Sequence, residues 1–399
     1  MVLIPSNRWG AGDWINEGAQ LLRHDPALGQ RLISQGLRVD PGISVGWFNL
    51  GLGLHQRGRI NAAIRAYQLA LNLEHPATES IQANLSQDLL LKGRFQEGWH
   101  HYEQRLNNRS KHDHSYFEAM AGPSWTGPND ARPFEHLVLV AEQGFGDTLQ
   151  FLRLALALRD QGLAITLFCQ RALVPLLAEG CQGIAVCSEV PASQFSAGTR
   201  WCPLMSLPHR LNLCGHNIPL SQGYLKAAPQ RITQWAKALP RRNGIRRIAL
   251  HWQGNPNHEG KIYSLGRSVP FQALTPLASI TNAEFILVQK GEGLKQVYGG
   301  SGFPLAPHQE PFIASMDFRD TAAVLKSCDL LISSDSGVVH LAGALGVPTW
   351  VALRWIPEWR WGLGSASTPW YSSVRLFRQP RQGDWASVVQ AMVDALKCR

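Results

Sequence analysis

The sequence predicts an all-α repeat region over roughly the first hundred residues, followed by an α/β region built on parallel sheets. Three observations carry this expectation. Small and large apolar residues recur with a long period up to residue 106. A polar stretch rich in Gly, Pro and Asn covers 107–133. Beyond it, short continuous apolar runs alternate with amphipathic segments, the rhythm of strands buried on both faces between helices.

The repeat is clearest in "GWFNLGLGLHQRGRINAAIRAYQLALNLEHP" (46–76), with Trp47, Leu50, Gly51, Leu54, Ala63, Tyr67, Ala70 and a closing Pro76. Gly36 stands 34 residues before Ala70, and Pro41 ends the segment that contains it. Downstream, "NLSQDLLLKGRFQEGWHHYEQRL" (84–106) echoes it, with Gly93-Arg94 for Gly58-Arg59 and Tyr102 for Tyr67. This pattern resembles the tetratricopeptide repeat, a helix–turn–helix unit in which small residues let two helices approach and large ones fill the gaps. An all-α tetratricopeptide-repeat domain is therefore expected over 1–106, followed by a linker at 107–133 anchored by Trp125. The array reads either as a helical cap or as a docking surface for an acceptor or protein partner.

Composition narrows the function. The 399 residues suffice for more than one domain, and 45% hydrophobic with 17% charged residues marks a globular chain. No apolar run reaches the roughly 18–20 residues needed to span a bilayer, so at most peripheral membrane contact is expected. The start "MVLIPSNRWGAGDW" lacks a basic stretch followed by an apolar core, so no signal peptide is read there. Seven scattered cysteines with no C-x-x-C pair fit reduced thiols and a cytoplasmic location. The net charge of +9 is dispersed, with tight clusters only at "RRNGIRR" (241–247) and "RLFRQPR" (375–381). A small anionic ligand explains this better than nucleic acid, which usually meets more concentrated charge.

In the second region, "HLVLVAE" (136–142), "AITLFC" (164–169), "RRIALHWQG" (246–254), "EFILVQKGE" (284–292) and "DLLISSDS" (329–336) read as strands. Helices are expected at 148–162, 171–180, about 270–280, 319–327 and 338–346, with a closing amphipathic helix at 384–397. Two loops stand out. In "AEQGFGDTLQF" (141–151), Glu142, Gln143, Gly144 and Gly146 lead to Asp147, which reads either as a catalytic carboxylate or as the N-cap of a helix beginning at Thr148. In "DLLISSDSGVVHLAGALGVPTWV", a strand ends at Asp335, and Ser336, Gly337 and Val338 open a helix whose first N–H groups and dipole favour an anion.

Taken together, "SDSGVVHLAGALGVPTWVAL", "AEQGFGDTLQF", "ALHWQGNPNH" (249–258), "GRSVPFQAL" (266–274), "FILVQKGEG" (285–293), "DFRDTAAVLKSCDLLIS" (317–333) and "WIPEWRWGLGSASTPWYSSVRLFRQ" (355–379) resemble glycosyltransferase family 9, the ADP-heptose heptosyltransferase-like enzymes. The resemblance covers about 134–379. It implies the α/β GT-B fold, two Rossmann-like domains facing a cleft. The acceptor-side domain is expected at 134–240 and the nucleotide-sugar domain at 241–399, its last helix packing back on the first. It also implies an inverting enzyme that needs no metal and no cofactor, and no D-x-D stands at a strand end. By the resemblance Asp147 is the base, with Glu142 a rival. Ser336, Gly337 and Val338 seat the diphosphate, with Asp335, His340 and Arg267 or Lys261 beside them. Gln289 and Lys290 end a strand where such enzymes hold the base or ribose by backbone contacts, with Asp317, Phe318 and Thr321 in the next loop. His340 reads equally as a core histidine, and Trp359, Arg360 and Trp361 as either a sugar pocket or a packing surface.

Other chemistries fit less well. "GFGD" is an incomplete G-x-G-x-x-G because Leu149 stands where the third glycine belongs, and "SDSGV" lacks the first glycine of G-x-S-x-G. The expected partners are a nucleotide-sugar donor and a protein or glycan acceptor. The rival is a non-catalytic repeat-bearing scaffold with a degenerate sugar-nucleotide domain.

Overall fold

The computed structural model describes residues 9–107, 122–130, 133–189, 198–260, 262–297, 303, 305 and 316–398. Most of the expected linker and Lys261 lie outside them. The chain divides into two compact units.

The first unit comprises residues 1–109 together with Gly260–Leu265 and Ile356–Leu363. Its helices are α1 (Ala11–Leu21), α2 (Pro26–Val39), α3 (Ser44–Gln56), α4 (Ile60–Asn72), α5 (Thr78–Leu91) and α6 (Phe95–Tyr102), each packed on the next. The small–large alternation of the sequence is used between α3 and α4. A Cβ at Gly51 would lie 2.3 Å from Cε1 of Tyr67, so only glycine leaves room for that ring. Turns after α3 and α5 close at Gly58 and Gly93, both at positive φ, which explains the Gly-Arg echo.

A buried polar cluster lies inside this unit. The fully buried Asp88 of α5 meets Nδ1 of His55 at 2.7 Å. Tyr263 stacks on His55 with ring centroids 3.9 Å apart, and its hydroxyl lies 3.0 Å from that of Tyr67. Burial raises the Asp88 pKa, opposed by His55, and burial also pushes both phenols well above their ordinary value. The second inserted segment brings Trp359, which meets Trp99 edge-on at 5.2 Å with Arg360 stacked on its other side. Trp359, Arg360 and Trp361 are thus buried members of the helical unit, and the sugar-pocket alternative for them falls.

The second unit contains two all-parallel sheets. In the first, β1 (His136–Val140), β2 (Ala164–Phe168), β3 (Ala185–Cys187) and β4 (Thr199–Pro203) lie in the order β3-β2-β1-β4. α7 (Phe145–Asp160) follows β1, and α8 (Val174–Gly180) lies between β2 and β3. Leu207–Arg210 (α9) and Pro229–Ala238 (α10) lead away. In the second, β5 (Arg246–His251), β6 (Ala283–Leu287), β7 (Leu330–Ser334), β8 (Thr349–Leu353) and β9 (Val374–Arg378) lie in the order β6-β5-β7-β8-β9. Its helices are α11 (Phe271–Leu274), α12 (Phe318–Lys326), α13 (Gly337–Ala344) and α14 (Trp385–Lys397).

The strands are runs of Val, Leu, Ile and Phe buried at almost every position, as parallel strands covered on both faces require. α7 is buried nearly all round, including Gln150 and Arg153, so it is an interior helix rather than an amphipathic surface one. α14 contributes Trp385, Val388, Val389, Met392, Val393 and Leu396 to the core of the second sheet, with Ile248 and Phe285. It does not pack back on the first sheet as expected, because its apolar stripe is used on its own sheet. Around 270–280, α11 gives way to a 3₁₀ turn at Thr275–Ser279 instead of a continuous helix, where Pro276 has no N–H to donate.

The His55–Asp88 pair gives a stability test. Asp88→Ala leaves the imidazole and the Tyr263 hydroxyl without their buried acceptor and should destabilise the helical unit by about 3 kcal/mol in urea titration followed by circular dichroism. Loss of less than about 0.5 kcal/mol would mean that the pair contributes nothing net.

Candidate active site

Strand order locates the crevices. In an open parallel sheet, ligands bind beyond the carboxyl ends of strands where the winding reverses. The first sheet reverses between β1 and β4, and the second between β5 and β7. The segment after β1 runs from Ala141 into the first turn of α7 at Asp147, and the segment after β7 from Asp335 into the first turn of α13 at Val338, so each motif singled out in the sequence sits at the switch point of its own sheet.

The two motifs touch. A Cβ at Gly146 would lie 2.9 Å from Cδ2 of His340 and 3.3 Å from Cα of Gly337. A Cβ at Gly337 would in turn lie 3.6 Å from the Gly146 nitrogen. α7 and α13 therefore meet at their N-terminal turns through glycine backbone, with the His340 imidazole wedged beside them.

Local chemistry fixes the first loop. α7 begins at Phe145, three residues before the expected start at Thr148. Gly144 is its extended N-cap residue, so Asp147 occupies the third helical position and does not cap the helix itself. Its Oδ2 accepts from the Gly144 N–H at 3.0 Å, the carboxylate half of a capping box. Gln170 donates to the Gln143 carbonyl, and its Oε1 accepts from Thr148 at 2.9 Å. Glu142 Oε2 lies 3.5 Å from the Met205 amide just past β4. Phe145, 40% exposed, meets Phe318 edge-on at 5.0 Å.

On the second sheet, Ser336 is the N-cap residue of α13, but its side chain does not cap the helix. Its hydroxyl turns instead to Nδ1 of His251 at 3.1 Å and to Ser333 at 3.2 Å. Arg267 brackets Asp335: its Nη2 donates to the Asp335 carbonyl at 3.2 Å, and its Nε stands 3.3 Å from Oδ2. That ion pair holds the guanidinium at the mouth of the α13 N-terminus. His340 is buried and pairs through Nδ1 with the Tyr371 hydroxyl at 2.9 Å.

Gly146, Asp335, Ser336, Gly337, His340 and Arg267 thus converge, with Asp147 next to Gly146 in the first turn of α7. The Gln289 and Asp317 side chains have structural partners of their own. Gln289 Oε1 accepts from the Trp252 and Gln253 amides at 3.0 and 2.9 Å, and its Nε2 donates to the Gln253 and Lys290 carbonyls. It braces the segment after β5. Lys290 is exposed, with desolvation lowering its pKa against the opposing pull of Asp317 and Asp320. Asp317 caps α12 by accepting from the Arg319 and Asp320 amides, and Thr321 donates back to its carbonyl. No group of three or more His, Cys, Asp or Glu side chains suited to a metal ion occurs among the described residues.

Sequence reasoning missed His251, although its position at the end of a buried strand before "WQG" was a signal. Burial lowers its pKa to about 4, so the imidazole is neutral at pH 7. Arg153 carried no motif, and Tyr371 lies in the 355–379 segment without having been singled out there.

The fold and crevice define a doubly wound α/β protein with paired switch-point loops. Residues 305–353 match the model of glycosyltransferase family 9 (heptosyltransferase). That stretch includes β7, the Asp335–Val338 turn, α13 and β8. Protein FlbA of Caulobacter vibrioides is 23% identical over 406 aligned residues, covering 96% of this chain and 66% of FlbA. The crystal structure of a family 9 glycosyltransferase from Veillonella parvula is 11% identical with a TM-score of 0.47, covering 66% of this chain and 98% of that one. ADP-heptose lipopolysaccharide heptosyltransferase II of E. coli is 11% identical with a TM-score of 0.41, covering 66% and 99%. No described helix is long and apolar enough to cross a membrane.

Two outcomes follow from the crevice. Gly146→Ala forces a methyl into His340 and should destabilise the second unit by about 1–3 kcal/mol, read as a lower midpoint in calorimetry. An unchanged midpoint would show that the loop yields freely. For His251, the unfolded chain takes up a proton near the ordinary value of 6.5, while the folded protein resists until about 4. Its neutral form therefore supports folding fully above about pH 6.5, and that support, roughly 3 kcal/mol, drains away as pH falls toward 4. His251→Asn should flatten the pH dependence of the unfolding midpoint in this window.

Proposed function

We propose that the protein is an inverting glycosyltransferase of the GT-B type, moving a sugar from a nucleotide-diphosphate donor to an acceptor hydroxyl. The reading rests on the Gly146–Gly337 approach, which sets an acidic loop at one switch point against an uncapped helix N-terminus at the other. The family 9 match over the second of these elements supports it.

In this reading the diphosphate lies against the N–H groups of Ser336, Gly337 and Val338, with His340 and Arg267 adding donors. These fixed dipoles and the guanidinium supply the charge stabilisation that the leaving diphosphate needs, so the mechanism calls on no metal. Asp147 takes the proton of the acceptor hydroxyl as its oxygen attacks the anomeric carbon. The bond from that carbon to the diphosphate oxygen breaks on the opposite face, and configuration inverts. A carboxylate has several lone pairs, so accepting from Gly144 and serving as base are compatible. The helical unit, read as tetratricopeptide repeats, recruits a protein or glycan acceptor in a cytoplasmic setting.

Calorimetry with ADP-, GDP-, UDP- and dTDP-sugars, followed by a transfer or donor-hydrolysis assay, tests the reading. Asp147→Asn should bind donor within about twofold of wild type and lose about 10²–10⁴-fold in turnover. Undiminished turnover would remove Asp147 as base. Tight nucleotide binding with no turnover of any donor would favour the scaffold reading instead.

A further inference from the structure

His340 meets α7 at one edge and, at the other, a tyrosine that a side chain of α7 covers. Its Cδ2–Nε2 edge faces Gly146, at the start of α7. Its Nδ1 meets the Tyr371 hydroxyl, and Arg153, two turns further along α7, lies over the Tyr371 ring at 4.5 Å. Gly146 and Arg153 are seven residues apart, so both project from the same face of α7. Arg153 is fully buried and anchored by the carbonyls of Gln150 and Trp370 and by the Tyr224 hydroxyl.

The phenol itself is locked in place. A Cβ at Gly343 would fall 2.4 Å from Cδ1 of Tyr371, so the ring lies directly on the backbone of α13, one turn beyond His340. Tyr371 is 1% exposed, and between Gly343 and the Arg153 guanidinium its ring has no room to turn away. A guanidinium has donors only and cannot accept the phenol proton. Its positive charge beside the ring favours a phenol that donates away from it, and it disfavours a second cation at His340. With the hydroxyl donating to Nδ1, the ring proton stands on Nε2.

We propose that Tyr371 is a positioning residue that fixes His340 as a neutral Nε2–H donor presented to the space where Gly146 meets Gly337. On the glycosyltransferase reading, that proton is a hydrogen bond for the donor diphosphate, supplied without a titrating charge. The sequence motif that includes His340 is then incomplete without a tyrosine 31 residues later, held by an arginine in the other half of the unit.

The test uses the full chain labelled with ¹⁵N-histidine, the His340 signals being assigned by their loss in His340→Gln. Wild type should show His340 as a single neutral tautomer with Nδ1 as acceptor and Nε2 protonated. Tyr371→Phe keeps the ring on Gly343 and removes only the hydroxyl. It should shift the Nδ1 resonance and mix the tautomers, and it should weaken binding of the nucleoside diphosphates ADP, GDP and UDP by about 10-fold for whichever binds best. In the double variant His340→Gln/Tyr371→Phe, binding should be no weaker than in His340→Gln alone. Identical His340 nitrogen shifts in wild type and Tyr371→Phe, or additive losses in the double variant, would overturn the proposal. A wild type that binds no nucleoside diphosphate would overturn the glycosyltransferase reading, and the nitrogen shifts would still decide whether Tyr371 fixes the tautomer.

Discussion

The close approach of Gly146 to Gly337 and His340 is the constraint on which the rest of the second unit depends. A Cβ at Gly146 would press on His340 at 2.9 Å, whereas one at Gly337 would sit in ordinary contact at 3.6 Å, so the approach depends on the glycine at 146. It brings two helix dipoles of like sign toward one space. Aligned positive helix ends repel unless something negative lies between or beside them. Asp147 and Asp335, one from each motif, stand next to this point, and Arg267 balances Asp335. The polar residues around the contact are therefore partly explained by electrostatics before any substrate is considered.

That constraint also explains why α7 is buried almost all round. A helix entering the crevice at its N-terminus and continuing beside α13 has little surface left for solvent. The buried Arg153 is the consequence: a long side chain in such a helix has only carbonyls, hydroxyls and aromatic faces to satisfy it. Its guanidinium can use all three, where a lysine ammonium would match the planar stack poorly.

What was legible in the sequence was what depends on neighbours along the chain. Continuous apolar runs gave β1, β2, β5, β6 and β7 but not β3, β4 or β9, and glycines beside acidic or hydroxyl residues marked the strand-to-helix turns. The start of α7 was misread because Asp at the third helical position and Asp at the N-cap look alike without the Gly144 backbone geometry. Gln289 shows a different limit, since a polar residue at a strand end faces either a ligand or a neighbouring backbone with equal plausibility, and here it bonds the backbone of Trp252 and Gln253. Tyr371 was invisible because its partners are 31 and 218 residues away, and no periodicity connects them.

The cluster around His55 and Asp88 bears on how the chain is made. The helices α1–α6 of this unit are synthesised before Tyr263 and Trp359, which its interior includes. Until residues near 363 have been synthesised, a nascent helical array has an unfilled pocket over a buried carboxylate. The interior of the unit is complete only once chain from beyond both β5 and β8 has joined it. The connection between the units is crossed five times, at 109/110, 259/260, 265/266, 355/356 and 363/364. The helical part is consequently no detachable adaptor: no single cut frees it whole, and transplanting residues 1–109 to another protein would carry away a fold without the side chains that fill it.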